Sequence, residues 1–297
     1  MTQAKPLCGF LNVLKPPGMS SAQVVGCVRR LLGGVKAGHA GTLDPEAAGV
    51  LPVMVGKAAR LFDYLQDKEK EYVAEVAFGV ATDTQDATGR VVARGPGVRM
   101  EDLRAVLPRF VGEIEQVPPA YSAIKVGGRK LYEAARAGEA LEVPSRRVQI
   151  YGLDLAGQSG ENRFLLDVRC GRGTYIRTLC HDIGRALGTC AHMAFLLRVR
   201  SGVFGIEDAV TPEEFLAGAP DARLMPLDAP LQHLPAVRLG ETLERAVRNG
   251  NPIRICEMLS TLDGPSFIAR VSVHDVKNVL NAKKVIAKAF EHQAEGK

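Results

Sequence analysis

Apolar and polar positions recur along the chain with two periods, and the switches between them mark the elements. Gly9 to Leu14 (GFLNVL) is a short apolar run ended by Lys15-Pro16-Pro17-Gly18, which cannot continue a ladder, so a strand is predicted. Val24, Val28 and Leu31 then recur at i, i+4 and i+7. Ser20 or Ser21 caps that predicted helix, and Gly33-Gly34 closes it. A glycine-rich loop runs from Gly34 to Asp44, followed by a strand-like run from Gly49 to Gly56 and a short helix from Ala58 to Leu65. Lys70 to Val80 alternates as a strand does, ATDTQDATG is a polar turn, and VVAR returns from it.

The second half follows the same two periods. Met100 to Phe110 and Arg129 to Ala137 read as helices, whereas Arg146 to Leu155 and Arg163 to Cys170 read as paired strands. Thr174 to Leu187 is the clearest helix, because Ile176, Leu179, Cys180, Ile183 and Leu187 fall on one stripe. Thr211-Pro212-Glu213-Glu214 is a capping box with proline at the first helical position. Proline-broken apolar words from Ala229 to Pro235 read as a linker, and no internal repeat is present.

Composition narrows the function classes. A length of 297 residues fits two domains at roughly 150 residues each. With 46% hydrophobic and 24% charged residues the chain is neither disordered nor membrane-spanning in composition. The six cysteines form no C-x-x-C pair and no signal-peptide pattern opens the chain, so the expectation is a cytoplasmic protein with free thiols and no structural zinc. The net charge of +5 permits a nucleic-acid partner without announcing one. More than half of that excess lies in residues 232–297, which hints at an appended RNA-facing module.

Three stretches carry candidate chemistry. In Gly38-His39-Ala40-Gly41-Thr42-Leu43-Asp44-Pro45, two glycines free the backbone and Pro45 biases Asp44 toward an extended conformation, so the loop presents one acid; plain turn chemistry uses the same residues. No phosphate-loop or dinucleotide-binding glycine pattern occurs. Gly171 to Leu179 places Arg177 about 100° from Ile176, at the edge of the apolar stripe. There it forms a structural ion pair or holds a catalytic acid ionised. Gln116 to Tyr132 interleaves Pro, Tyr and Lys/Arg as an RNA-facing loop does, or as a basic surface turn does. Tyr72 alone is a half-buried strand tyrosine, and His181-Asp182, adjacent on a helix, reads as solvated surface.

Five ordered motifs together resemble the bacterial TruB family of tRNA pseudouridine-55 synthases. They are KPPGMSS (15–21), GHAGTLDPEAAGVLPV (38–53), KEYVAEVAFGVATDTQDATG (70–89), PPAYSAIKVGGRKLYEAAR (118–136) and CGRGTYIRTLCHDIGRALG (170–188). KPPGMSS has Met19-Ser20 where that family more often has threonine-serine. The resemblance implies that Asp44 is the catalytic aspartate and that His39 enters the space left by the flipped nucleotide. It implies that Tyr72 stacks on the target base and takes part in proton removal, and that Arg177 pairs with the catalytic carboxylate. Tyr175 and Leu196 match further residues of the uridine pocket, and Arg60 and Lys125 fall where the family carries basic residues near the RNA. No metal or organic cofactor is implied.

The expected fold class is α/β of the α+β type, a mixed, largely antiparallel central sheet flanked by helices over residues 1–231. A small β-rich PUA-like domain follows over 232–297. Leu243 to Ile255 and SFIARVSV match that domain's strands, while Val276 to Phe290 reads as helix or as strands. The expected partner is the T-arm stem-loop of tRNA, bound by a monomer with no membrane association. The rival readings are an RNA-binding or tRNA-folding chaperone and a glycoside hydrolase. The hydrolase needs a second acid near Asp44, where the motifs supply an arginine.

Overall fold

The computed structural model describes residues 7–65, 69–122, 124–126, 129–131, 143–217 and 223–234, and strand segments at 236–240, 253–254, 266–270, 279–280 and 287–289. In chain order the N-terminal part contains β1 (Gly9–Lys15), α1 (Ser21–Leu31), β2 (Ala37–His39) and β3 (Ala48–Val55). A 3-10 helix (Gly56–Tyr64), β4 (Lys70–Phe78), β5 (Val80–Thr82) and β6 (Val91–Arg94) follow. Next come α2 (Met100–Val106), β7 (Gly112–Gln116), β8 (Lys125–Val126), β9 (Arg129–Lys130), β10 (Arg146–Gly160) and β11 (Arg163–Cys170). Then come α3 (Ile176–Ala186), β12 (Ala191–Ser201), β13 (Phe204–Gly205) and α4 (Pro212–Ala217).

The central sheet runs β1-β3-β12-β4-β11-β10-β7, with β2 added to β3 and β13 to β12. Its pairings are antiparallel except β3 with β12, which run parallel through Leu197↔Ala48 and Arg198↔Gly49. This is the mixed, largely antiparallel sheet expected from sequence. β3 is buried along its whole length because both its faces are covered. Leu51, Val53 and Val55 pack with α1 residues Val24, Val25 and Val28 on one side, and Val50 and Met54 pack with Phe10 and Phe204 on the other. Gly49 lies at the closest approach of the parallel pair. A Cβ there would come 2.1 Å from the Arg198 carbonyl oxygen, and its φ of +111° is one that side chains rarely adopt.

The Thr211 capping box forms as the spacing predicts, and the expected serine cap of α1 proves to be a capping box too. Ser20 caps α1, with Gln23 reaching back to the Ser20 amide at 2.8 Å, and Thr211 and Glu214 exchange bonds of 2.9 and 3.1 Å at α4. Other expectations are corrected. The segment after Gly56 is a 3-10 helix, and Met100 to Phe110 leaves the α form at Leu107. Arg129–Lys130 is a strand paired with Lys125–Val126 rather than the start of a helix, and residues 132–137 lie outside the described residues. α3 begins at Ile176, two residues later than expected.

The proline-marked segment near Ala229 is not a free linker. Ala229–Leu231 forms a 3-10 turn, and Leu231 is fully buried in the cluster that holds Phe10 and Val50. His181 and Asp182 are half-buried rather than solvated. Burial raises the Asp182 pKa, with the charges of His181 and Arg185 opposing it. In the tail, β14 (Ala236–Gly240), β16 (Ser266–Arg270) and β18 (Ala287–Ala289) form one antiparallel sheet. β15 (Ile253–Arg254) and β17 (Val279–Leu280) form another, so the described parts of Val276 to Phe290 are strands.

Candidate active site

Six parts of the sheet and its connections converge on one cavity of about 1240 Å3. Its wall includes Asp44 from the loop before β3, Tyr72 from β4, and Thr84 and Asp86 from the β5–β6 turn. Tyr121 and Ser122, Tyr175 and Arg177 at the start of α3, and Phe195 and Leu196 on β12 complete it. The volume exceeds that of a usual small-molecule site and admits more than a single nucleotide.

The loop that carries Asp44 is tied down from both sides. Lys15, fully buried at the end of β1, donates through Nζ to the carbonyls of Pro16, Pro45 and Ala47 at 2.8, 2.8 and 2.6 Å. Ser21 Oγ accepts from the Leu43 amide and donates to the Leu43 carbonyl, both at 2.9 Å. The KPPGMSS motif thus does more than end a strand, because its Lys15 and Ser21 hold the residues on either side of Asp44. Burial pulls Lys15 down to about 8, against the charges of Glu46 and Asp44.

Arg177 faces Asp44 through two atoms. Its Nε lies 3.0 Å from Oδ2 and its Nη2 3.4 Å from Oδ1, with the arginine side chain 6% exposed and the aspartate 39%. The same guanidinium donates to the carbonyls of Thr84 and Tyr121 at 3.1 and 3.0 Å. Its Nη1 also lies 3.5 Å from Asp86 Oδ2. The net direction for Asp44 is upward: burial raises its pKa most, Arg177 opposes, and the Asp86 carboxylate adds to the rise. Asp86 itself is fixed by Thr84 Oγ1 at 2.7 Å, the Thr88 amide at 2.9 Å and Thr88 Oγ1 at 2.6 Å, all on Oδ1.

Tyr72 is 7% exposed and Leu196 6%, so both are core residues with a face on the cavity. Burial pushes the Tyr72 hydroxyl up to about 12, with Arg198 opposing the rise. A phenol so placed keeps its proton at neutral pH and acts as a donor and an apolar face before it acts as a base. Tyr175 is the N-cap of α3, held by two bonds between its backbone and the Gln116 side chain at 3.0 and 3.2 Å.

Two expected residues are not part of the cavity wall. His39 ends β2 opposite Val53, outside the cavity wall. Its Nδ1 is buried without a partner, and burial with the Arg198 charge lowers its pKa. Arg60 is exposed on the 3-10 helix, while Lys125 opens β8 directly after Ile124, which does line the cavity. Sequence reading did not single out Lys15, Asp86, Phe195 or Arg198. Among the described residues no group of three or more His, Cys, Asp or Glu stands together as a metal site.

The chain matches known proteins over most of its length. The family model described as TruB family pseudouridylate synthase (N terminal domain) matches residues 29–176, and that described as tRNA pseudouridylate synthase B C-terminal domain matches 177–232. The tRNA pseudouridine synthase B of Symbiobacterium thermophilum is 50% identical over 251 residues, covering 83% of each chain. That of Geobacillus kaustophilus is 45% identical over 276 residues, 89% of this chain and 97% of the relative. Among solved structures, an H/ACA RNP bound to a substrate RNA containing 2'-deoxyuridine matches with a TM-score of 0.63 at 27% identity, over 89% of this chain and 71% of that one. A Cbf5-Nop10-Gar1 complex matches with a TM-score of 0.60 at 32% identity, over 76% of this chain and 62% of that one. With two family models spanning residues 29–232 and relatives this similar over most of its length, the chain belongs to the TruB family of pseudouridylate synthases and is an enzyme of that class.

Proposed function

We propose that the protein converts uridine-55 in the T loop of tRNA to pseudouridine, with Asp44 as the reacting carboxylate. The observation that carries the reading is the Asp44–Arg177 pair, two-pronged and set in the wall of a cavity large enough for a nucleotide and its neighbours, in a family member. The target base is stacked inside the folded T loop, so it is first extruded into that cavity. His39 fills the space it leaves, Tyr72 stacks on the base, and Tyr175 and Leu196 line the uridine pocket. Asp44, kept charged by Arg177, attacks covalently or stabilises charge on the sugar while the N1 bond breaks, and the base turns and rejoins through C5. Arg60 and Lys125 meet RNA phosphates.

The proposed division places the catalytic unit at 1–231 and a PUA-like RNA-binding domain at 232–297. Its support is the separate strand pairing of the tail and the coverage of solved structures that extends beyond residue 231. The enzyme acts as a cytoplasmic monomer on the T-arm stem-loop, with no membrane. The test is incubation with an unmodified tRNA transcript. Pseudouridine at position 55 is expected; unchanged uridine favours a binding protein and an abasic site a hydrolase. D44N is expected to bind the transcript and form no product, and turnover by that variant overturns the assignment.

A further inference from the structure

Arg198 is fully buried on β12, and it is the largest side chain that is. A buried guanidinium must spend its donors on acceptors, and these all fall on one segment. Nε donates to the Val50 carbonyl at 2.7 Å, Nη2 to Gly41 at 3.1 Å and Nη1 to Thr42 at 3.4 Å. Gly41 and Thr42 precede Asp44 by three and two residues, and Val50 follows it at the start of β3. No carboxylate among the described residues lies within ion-pair distance of Arg198. A core position in β12 needs only an apolar side chain for packing, and an unpaired buried cation is costly there. Two of its bonds are therefore directed at the loop, and the third anchors the same guanidinium to β3.

The strand register adds a second contact. Arg198 sits directly opposite Tyr72 in the β4–β12 pairing, so the two side chains project from the same face of the sheet. The guanidinium lies close enough to act on the Tyr72 hydroxyl. We propose that Arg198 is a positioning residue for the reaction, which from inside the sheet fixes both the approach of the Asp44 loop and the hydroxyl of Tyr72. The inference rests on Asp44 as the reacting carboxylate. The field of the same cation reaches further, adding to the burial that lowers the pKa of His39 and, more weakly, that of Lys15.

The test compares R198K and R198M with wild type, with D44N alongside. Thermal unfolding establishes that each variant folds, and kcat and KM are measured on a T-arm transcript. Lysine keeps the charge but concentrates its donors on one atom and lacks the planar spread of Nε, Nη1 and Nη2 that reaches Val50, Thr42 and Gly41 at once, so R198K tests the geometry even where R198M does not fold. For R198K the expected result is a kcat roughly 100-fold lower, the scale set by misplacing a reacting group by about 1 Å, with KM within threefold of wild type. Amide hydrogen exchange is expected to speed up at residues 40–44, including the Leu43 amide, and to stay unchanged in β4 and β11. A folded R198K with kcat within twofold of wild type overturns the proposal, as does a loss confined to KM. So does protection lost evenly across the sheet, which marks a plain core residue. Turnover by D44N overturns the underlying reading instead, whereas an inactive D44N beside a fully active R198K refutes the role of Arg198 alone.

Discussion

Replacing Arg177 by methionine removes the cation and keeps most of the volume. Asp44 then loses contacts at 3.0 and 3.4 Å, and Asp86 loses its neighbour at 3.5 Å, which leaves two carboxylates in one cavity with no guanidinium between them. Breaking a buried pair by removing one partner costs about 3–5 kcal/mol. Because Asp44 is 39% exposed, solvent screens part of this and the lower end applies to stability, about 3 kcal/mol, while a reacting carboxylate left misplaced by about 1 Å loses roughly 10²-fold in kcat/KM at neutral pH.

The pH dependence gives the sharper test. Arg177 is the largest influence opposing the burial that raises Asp44, so its loss moves the Asp44 pKa further up. If the reactive form is the anion, activity is lost as pH falls through that pKa, and in R177M it is lost at a higher pH than in wild type. The assay is release of tritium from C5 of a tritiated tRNA transcript between pH 5.5 and 9. The acid limb of kcat/KM shifts to higher pH in R177M, and part of the deficit is recovered toward pH 9. R177K falls between, since a point cation cannot serve both aspartate oxygens and two carbonyls at once. An acid limb that stays in place, with kcat/KM within threefold of wild type, refutes the reasoning.

Asp86 raises the Asp44 pKa, so D86N is expected to move the acid limb the opposite way, to lower pH, with a loss of about tenfold from the weaker hold on Arg177; the same titration reads both. Leu231 is fully buried against the cluster of Phe10 and Val50, so L231A is expected to cost about 2–5 kcal/mol in urea unfolding, whereas a free linker there would cost nothing measurable. Burial pushes the Cys180 thiol from 9.0 up to about 12, so between those values the native state holds a proton that the unfolded state has released. Stability is full below pH 9 and falls across that window by up to about 4 kcal/mol. In C180A the urea midpoint is expected to fall less between pH 8 and 10.5 than in wild type.

The local part of the design was readable in the sequence. Where an element is fixed by its own residues, such as the Ser20 and Thr211 capping boxes or the stripe of Ile176, Leu179 and Ile183, the expected helix forms. The need of Arg177 for a carboxylate was likewise accessible from its place at the edge of an apolar stripe, whereas Asp44 as that partner came from the family resemblance. Asp86 was hidden for a physical reason: threonine, glutamine and aspartate in TDTQD are what a turn requires, and they do form one, with Gln85 at φ +62°. Only the approach of a helix 91 residues further on gives its carboxylate a role. Arg198 was hidden by a parallel pairing between β3 and β12 that period-two patterning cannot reveal. The segment at 229–234 misled because prolines mark 3-10 turns as well as linkers.

Asp86 also reopens the hydrolase reading, because a second acid does stand near Asp44. A glycosidase pair needs one carboxyl that carries a proton to the leaving group. Asp86 is placed for the reverse: Oδ1 accepts from Thr84 and from the amide and hydroxyl of Thr88, and Oδ2 faces the Arg177 guanidinium. Every neighbour is a donor, so each oxygen is committed as an acceptor and none is left to deliver a proton. The two carboxylates therefore do not divide into an acid and a base; they share one arginine, and Asp86 orients the guanidinium that holds Asp44. With Asp86 committed as an acceptor, the pair of Asp44 and Asp86 is poorly suited to expelling a base by protonation. It suits a reaction in which the base leaves as an anion, stays in the cavity beside Tyr72 and rejoins the same sugar.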